Sequence, residues 1–197
     1  MRLSLPFTLL PVAAVLAALA AIVTEARAAP NVRPAEPTLH VRERGPLVIA
    51  ETRHGFICAS AGVDHSNAPA PGTLVLLPLD PDASARGLRE RFRELTGRDV
   101  GVVVTDSFGR PFRQGTTDVA IGVAGITALR DLRGTRDRQG YVLRASRVAL
   151  ADEIASAADL ARGKADGVPV VLVRGLQLDG DGTSRDLVIE PELDLFR

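Results

Sequence analysis

Residues 102–126 read VVVTDSFGRPFRQGTTDVAIGVAGI, and this stretch decides how the rest of the chain is understood. Val102-Val103-Val104 is an apolar β-branched run of the kind that forms a buried strand. The run gives way to Thr105-Asp106-Ser107, a carboxylate between two hydroxyls at the tip of the expected strand. Strand ends are where α/β proteins commonly place ligands. Gly109, Arg110, Pro111, Arg113 and Gly115 follow as a turn. Arg110 and Arg113 are candidate anion contacts, because guanidinium is a planar, permanently charged fork suited to phosphate and carboxylate oxygens. The glycine-spaced apolar run Val119 to Ile126 returns the chain to a core. Two readings stand at this point: a ligand site, or two strands joined by a solvated turn with surface arginines.

Outward from there, the pattern is that of one mixed α/β domain, of α+β class. Pro46 to Ala50, Gly55 to Ala59, Leu74 to Leu77, Tyr141 to Leu143 and Val168 to Val173 read as short strands. Asp80-Pro81 is a helix start, with a capping carboxylate and proline at the first helical position. Ala85, Leu88, Phe92 and Leu95 give that helix one apolar face, and Gly97 ends it. A second, alanine-rich helix is expected from about Val148 to Ala161, ending at Gly163, its small side chains suited to close packing. The tail from Gln177 is acidic and reads as irregular.

Composition narrows the function. The chain has 197 residues, 46% hydrophobic and 24% charged, as in ordinary globular proteins. Lys plus Arg and Asp plus Glu both number 24, so no basic field points to nucleic acid. A single cysteine, Cys58, excludes an internal disulfide and reads as a buried, inert thiol.

The first 37 residues differ from the rest. Met1-Arg2, an apolar run from Leu3 to Val23, and Ala26-Arg27-Ala28 have the layout of a secretory signal; Ala29 to Pro37 reads as an Ala/Pro linker. The expected division is therefore 1–37 and a domain at 38–197.

Three polar loops carry the candidate chemistry: Asp64-His65-Ser66-Asn67, Thr105-Asp106-Ser107, and Arg162 to Gly167. If the strands before the first two are neighbours, Asp64 and Asp106 can share a divalent cation. Carboxylate, hydroxyl and amide oxygens form a hard set suited to Mg²⁺ or Mn²⁺. The glycine-bracketed Lys164 loop can approach phosphates through backbone N–H groups. Neither the Walker A spacing nor the dinucleotide glycine fingerprint is present, which excludes the P-loop and Rossmann readings. The bland alternatives are an Asx turn at Asp64 and solvated loop histidines at His54 and His65.

Four ordered segments, ETRHGFICASAGVDHSN, LLPLDPDASARGLRERF, VVVTDSFGRPFRQGTTDVAIGVAGI and ADEIASAADLARGKADGVPVVLVRGL, resemble the coenzyme F420:L-glutamate ligase family. The likeness runs from about Thr38 to Leu176. It implies a compact mixed-sheet domain of the gamma-glutamyl ligase type. It also implies GTP-dependent addition of L-glutamate, through a γ-linked amide bond, to the deazaflavin coenzyme F420-0 via an acyl phosphate. By the resemblance Asp64 and Asp106 hold a first metal, and Ser107 stands where the family usually has a threonine on a second. Asn67 becomes a GTP contact, and Arg162, Gly163, Lys164, Ala165, Asp166, Gly167, Val168 and Pro169 become the nucleotide loop. Mg²⁺ or Mn²⁺ is the implied cofactor, and GTP, L-glutamate and the deazaflavin coenzyme are the substrates. A homodimer in the cytoplasm is implied, with no nucleic-acid partner and no stable membrane association. Residues 1–37 do not resemble the family's N-terminal segment, which carries further nucleotide contacts, so that segment is expected to be lacking. Export is the alternative if residues 1–28 are a genuine signal peptide. The competing functional reading is then an inactive remnant that binds a divalent metal or an anion without catalysis.

Overall fold

The computed structural model describes residues 39–195 except 65, 69, 71, 72 and 178. The expected signal and linker, and His65, lie outside the described residues. Among the described residues, seven strands and two α-helices form an α+β arrangement of small antiparallel sheets, with no closed barrel.

The centre is a long hairpin. β4 (Val102–Gly109) pairs antiparallel with β5 (Thr116–Ala124), from Val102 opposite Ala124 to Gly109 opposite Thr116. This corrects the expected strand end at Thr105. The strand continues through the polar triplet because Thr105, Asp106 and Ser107 all have partners on β5, so Asp106 lies mid-strand and not in a loop. The ladder shifts between Val104 and Thr105, leaving Ile121 as the extra residue of a bulge.

Before the hairpin, β1 (Leu39–Arg44), β2 (Leu47–Glu51) and β3 (Ile57–Ala59) form a three-stranded meander. β1 was not anticipated from the sequence. It turns into β2 through Gly45, whose φ of +59° suits the first position of a two-residue hairpin loop. Between β2 and β3 the chain winds around buried Thr52, whose hydroxyl accepts the Phe56 N–H at 3.2 Å.

The first helix, α1 (Pro81–Thr96), has the expected ends: Asp80 Oδ1 accepts the Ala83 N–H at 2.8 Å, and Gly97 closes the helix at φ +67°. Ala85 is fully buried, while Leu95 at the far end of the same face is 44% exposed. The second, α2 (Leu150–Arg162), ends at Gly163 as expected. Its alanines pack on the hairpin: Ala151 is buried with Ala120, Val123, Ile126 and Ala128, and Ala155 is buried one turn further on. The other face of the hairpin buries Ile121 with Phe56 and Leu77, flanked by Val104, Phe108, Val119 and Val188.

Three expected strands are not strands. Val75 makes only an isolated bridge with Asp64, and Val142 only one with Arg136. Val168 to Val173 has no partner strand among the described residues, and Leu172 is 60% exposed. β-branched composition favours a pleated surface, but a strand also needs a neighbour to receive its hydrogen bonds. Two-residue strands β6 (Arg130–Asp131) and β7 (Arg147–Val148) pair instead. The tail is irregular as read, with short 3-10 turns at Ser184–Leu187 and Pro191–Leu193.

Candidate functional site

The sequence after β3 turns through Ser60–Gly62 in a 3-10 turn with Ser60 and Ala61 at positive φ, and delivers Asp64 beside the hairpin. Asp64 does form an Asx turn: its Oδ1 accepts the Ser66 N–H at 2.8 Å, and its Oδ2 accepts the Ser66 hydroxyl at 2.5 Å. The same carboxylate faces Lys164, with Nζ 3.9 Å from Oδ2. Asn67 donates from Nδ2 to the Lys164 carbonyl at 3.3 Å, which ties the first loop to the third across 97 positions.

Asp106, on β4 opposite Val119, lies close enough to this cluster to feel its charges. Its carboxyl sits above the ordinary carboxylate range, first because it is buried, then because the charges of Asp64 and Asp118 oppose ionisation. The Ser107 backbone N–H, donated to Asp106 Oδ1 at 2.8 Å, and the charge of Lys164 pull the other way. Asp64, Asp106 and Lys164 therefore act on one another electrostatically, although they come from three separate segments. Two carboxylates that repel each other next to hydroxyl oxygens are the donor chemistry of a hard divalent cation, with water and phosphate oxygens completing the shell. Among the described residues, no group of three or more His, Cys, Asp or Glu side chains gathers as a metal centre. Asp64 and Asp106 could therefore supply two oxygen ligands to a divalent cation, which would take the rest of its shell from other oxygens.

Ser107 lies on the other face of β4. Thr105 Oγ1 and Ser107 Oγ donate to the two oxygens of Asp118 at 2.9 and 2.7 Å. Asp118 is fully buried, opposite Ser107 in the ladder, and the guanidinium of Arg162 closes on its Oδ2. Arg162 also donates from Nη1 to Thr105 Oγ1 at 3.2 Å. Arg162, expected in the nucleotide loop, is therefore the counter-ion of a buried carboxylate. Asp118 was missed in the sequence. Its signal was a carboxylate at the head of the apolar run Val119 to Ile126, where a charge must be compensated if it is buried.

From Gly163 to Pro169 the chain is exposed. Gly163 has φ +65°, and a Cβ there would lie 2.3 Å from Asp166 Oδ2, so the Asp166 side chain folds back over a position only glycine fills. Arg110 and Arg113 sit at the exposed hairpin tip, and Arg110 donates to the Gln114 carbonyl at 3.3 Å. Arg110 is four residues beyond Asp106, or about 13 Å along a strand. The structure does not bring these arginines to the carboxylates.

Two further expectations resolve locally. His54 is half-buried and stacked on Phe56, with Nε2 3.2 Å from the Leu79 carbonyl oxygen, so it is a packed residue and not a solvated one. Cys58 is buried, and desolvation followed by the nearby Asp106 charge pushes its thiol up to about 11, which keeps it inert at neutral pH.

A family model described as F420-0:Gamma-glutamyl ligase matches residues 12–175. The chain belongs to this family. The match begins upstream of Thr38, within the stretch that reads as signal-like. Curated relatives include the coenzyme F420:L-glutamate ligase of Methanopyrus kandleri, 50% identical over 163 residues, which cover 80% of this chain and 64% of that protein. The coenzyme F420:L-glutamate ligase of Methanocaldococcus jannaschii is 48% identical over 153 residues, covering 77% and 61%. That of Methanothermobacter thermautotrophicus is 46% identical over 161 residues, covering 80% and 64%. The chain thus spans less than two thirds of the length of these ligase-family members. No helix among the described residues is long and apolar enough to cross a membrane.

Proposed function

We propose that this chain carries the metal and phosphoryl-transfer part of a GTP-dependent ligase that joins L-glutamate to the deazaflavin coenzyme F420-0. The observation that carries the reading is the convergence of Asp64 and Asp106 from separate elements, with Lys164 held over Asp64 and Asn67 bonded to the backbone of the Lys164 loop. An unactivated carboxylate does not react with an amine at a useful rate. In this reading the substrate carboxylate takes the γ-phosphoryl group of GTP, giving an acyl phosphate and GDP. The amine of glutamate then attacks the acyl carbon, the amide forms, and phosphate leaves with loss of the amine proton.

Asp64 and Asp106 would hold Mg²⁺ or Mn²⁺ on one face of β4, and the Ser107 oxygen would hold a second ion from the other. When bound, the cations offset charge on the phosphoryl oxygens. Lys164 would bring an ammonium to the same oxygens, and the exposed backbone of Lys164 to Gly167 would approach the nucleotide phosphates, the Gly163 N–H being already bonded to the Asp159 carbonyl. Arg110 and Arg113, at the hairpin tip, would meet anionic substrate groups away from the transferring phosphoryl. A cytoplasmic homodimer is part of the same reading.

The test is incubation of the chain, joined to the N-terminal segment of a relative, with GTP, Mn²⁺, L-glutamate and F420-0, followed by mass spectrometry of the coenzyme. A glutamyl mass increment with matching GDP and phosphate, and poor substitution by ATP, is expected. Absence of the increment beside a working relative rejects the ligase reading.

A further inference from the structure

Asp118 is the one buried charged residue among the described residues, and it accepts the Ser107 hydroxyl. Its side chain is 0% exposed. Taking a carboxylate out of water costs several kcal/mol unless its lone pairs are filled. Here they are filled by the Ser107 hydroxyl at 2.7 Å on Oδ1, the Thr105 hydroxyl at 2.9 Å on Oδ2, and the Arg162 guanidinium on Oδ2. Each donor has a different consequence. Thr105 fixes the strand. Arg162 fixes the last residue of α2, from which the Lys164 loop departs. Ser107 gives up its single hydroxyl proton.

A hydroxyl has one proton and two lone pairs. With the proton held on Asp118, the Ser107 oxygen presents only lone pairs to the half-buried space around it. An oxygen so arranged is a ligand for a cation and a poor donor to an anion. Carboxylates that take a proton from a ligating group commonly set that ligand's orientation and basicity.

We propose that Asp118 is a positioning residue that orients Ser107 Oγ as a divalent-cation ligand. The inference rests on the ligase reading above for the role of Ser107. It goes beyond that reading by assigning a function to a residue which contacts neither metal nor substrate.

The experiment is Mn²⁺ binding followed by electron paramagnetic resonance, on the full chain, in the presence of a non-hydrolysable GTP analogue. Wild type is compared with Ser107→Ala, Asp118→Asn, the double variant, Ser107→Thr and Thr105→Val, with thermal melting recorded for each. Ser107→Ala and Asp118→Asn are each expected to weaken binding at the Ser107 ion by about 10–100-fold. The double variant should be no weaker than the weaker-binding single, because both changes remove one interaction. Ser107→Thr, which keeps the hydroxyl, should bind as wild type. Thr105→Val also removes a donor from Asp118 but leaves Ser107 intact, so it should keep the affinity while lowering the melting temperature. Losses that add in the double variant, or an equal loss in Thr105→Val, would show that Asp118 only holds the fold and overturn the proposal. If Asp118→Asn fails to fold, Asp118→Glu, which keeps the charge for Arg162 but displaces the oxygen that receives the Ser107 hydroxyl, takes its place in the same double-variant comparison. A wild-type chain that binds no Mn²⁺ overturns this proposal and the metal reading together, whereas wild-type binding with additive losses overturns this proposal alone.

Discussion

Asp82 and Ser184 lie 102 positions apart, yet the Asp82 carboxylate accepts both the Ser184 backbone N–H at 3.0 Å and the Ser184 hydroxyl at 2.9 Å. The same Oδ1 accepts the N–H of Val123 at 2.7 Å. Asp152 treats Ala120 alike, at 2.8 Å. Two carboxylates from the first turns of the two helices thus satisfy backbone donors of β5, a strand whose other side has no ladder partner among the described residues. This protects a sheet edge with side chains where another strand would otherwise pair.

Replacing Asp82 by Ala should therefore destabilise the fold strongly. The N–H groups of Val123 and Ser184 lose their acceptor in a buried setting, at about 1–3 kcal/mol for each unsatisfied group. The melting temperature should fall by roughly 2–4 °C per kcal/mol for a chain of this size. Asp82→Asn, which keeps one acceptor oxygen, should lose less. Differential scanning calorimetry of the two variants checks the order.

Gly122 and Gly87 should respond in opposite directions to alanine. A Cβ on Gly122 would stand 2.2 Å from the Pro81 carbonyl oxygen, so the first turn of α1 would have to move off β5. Overpacking of that kind costs about 1–3 kcal/mol. Gly87 lies inside α1 with nothing within 4 Å of its added Cβ, and alanine there should stabilise by about 0.5–1 kcal/mol. Urea denaturation of the pair measures both signs.

Asp106→Asn should raise stability at neutral pH while removing divalent-cation binding. Burial, then the charges of Asp64 and Asp118, raises the folded-state value of Asp106 above its ordinary 3.8. The folded state therefore holds this proton more tightly than the unfolded state. Stability falls as pH rises from 3.8 through the raised value, and a constant penalty remains above it. Asparagine carries no such penalty, so the variant should melt higher than wild type at pH 7, with the gap closing as pH falls toward 3.8. A variant that melts lower at pH 7 and higher at acid pH would contradict this sign. Mn²⁺ titration of the same variant should show lost affinity.

Lys164→Ala should tighten Mn²⁺ binding in the absence of nucleotide, because an ammonium 3.9 Å from Asp64 competes for the same carboxylates. The pair is exposed, so the gain should be small, up to about fivefold. On the proposed GTP-dependent reading the sign should reverse with GTP present, since the ammonium would then meet phosphate oxygens. Isothermal titration with and without GTP separates the two effects.

The sequence by itself determined the local elements and the residue types of the site. Asp80-Pro81 and Gly97 set the ends of α1, and Gly163 set the end of α2, because caps depend on a few adjacent backbone groups. The ordered segments identified the family, and the three polar loops holding Asp64, Asp106 and Lys164 were legible as the candidate chemistry, whereas the Asn67–Lys164 and Asp64–Lys164 contacts were not. What depends on distant partners was not legible. Val168 to Val173 has strand composition but no strand to pair with, while Thr105-Asp106-Ser107 has loop composition and pairs with β5. Arg162 is read from the resemblance as the start of the nucleotide loop, and its ion pair with Asp118, fully buried and 44 positions away, is not visible in the sequence. Only tertiary structure decides such cases, because the cost of a buried charge and the satisfaction of a backbone N–H are set by groups that the chain brings together on folding.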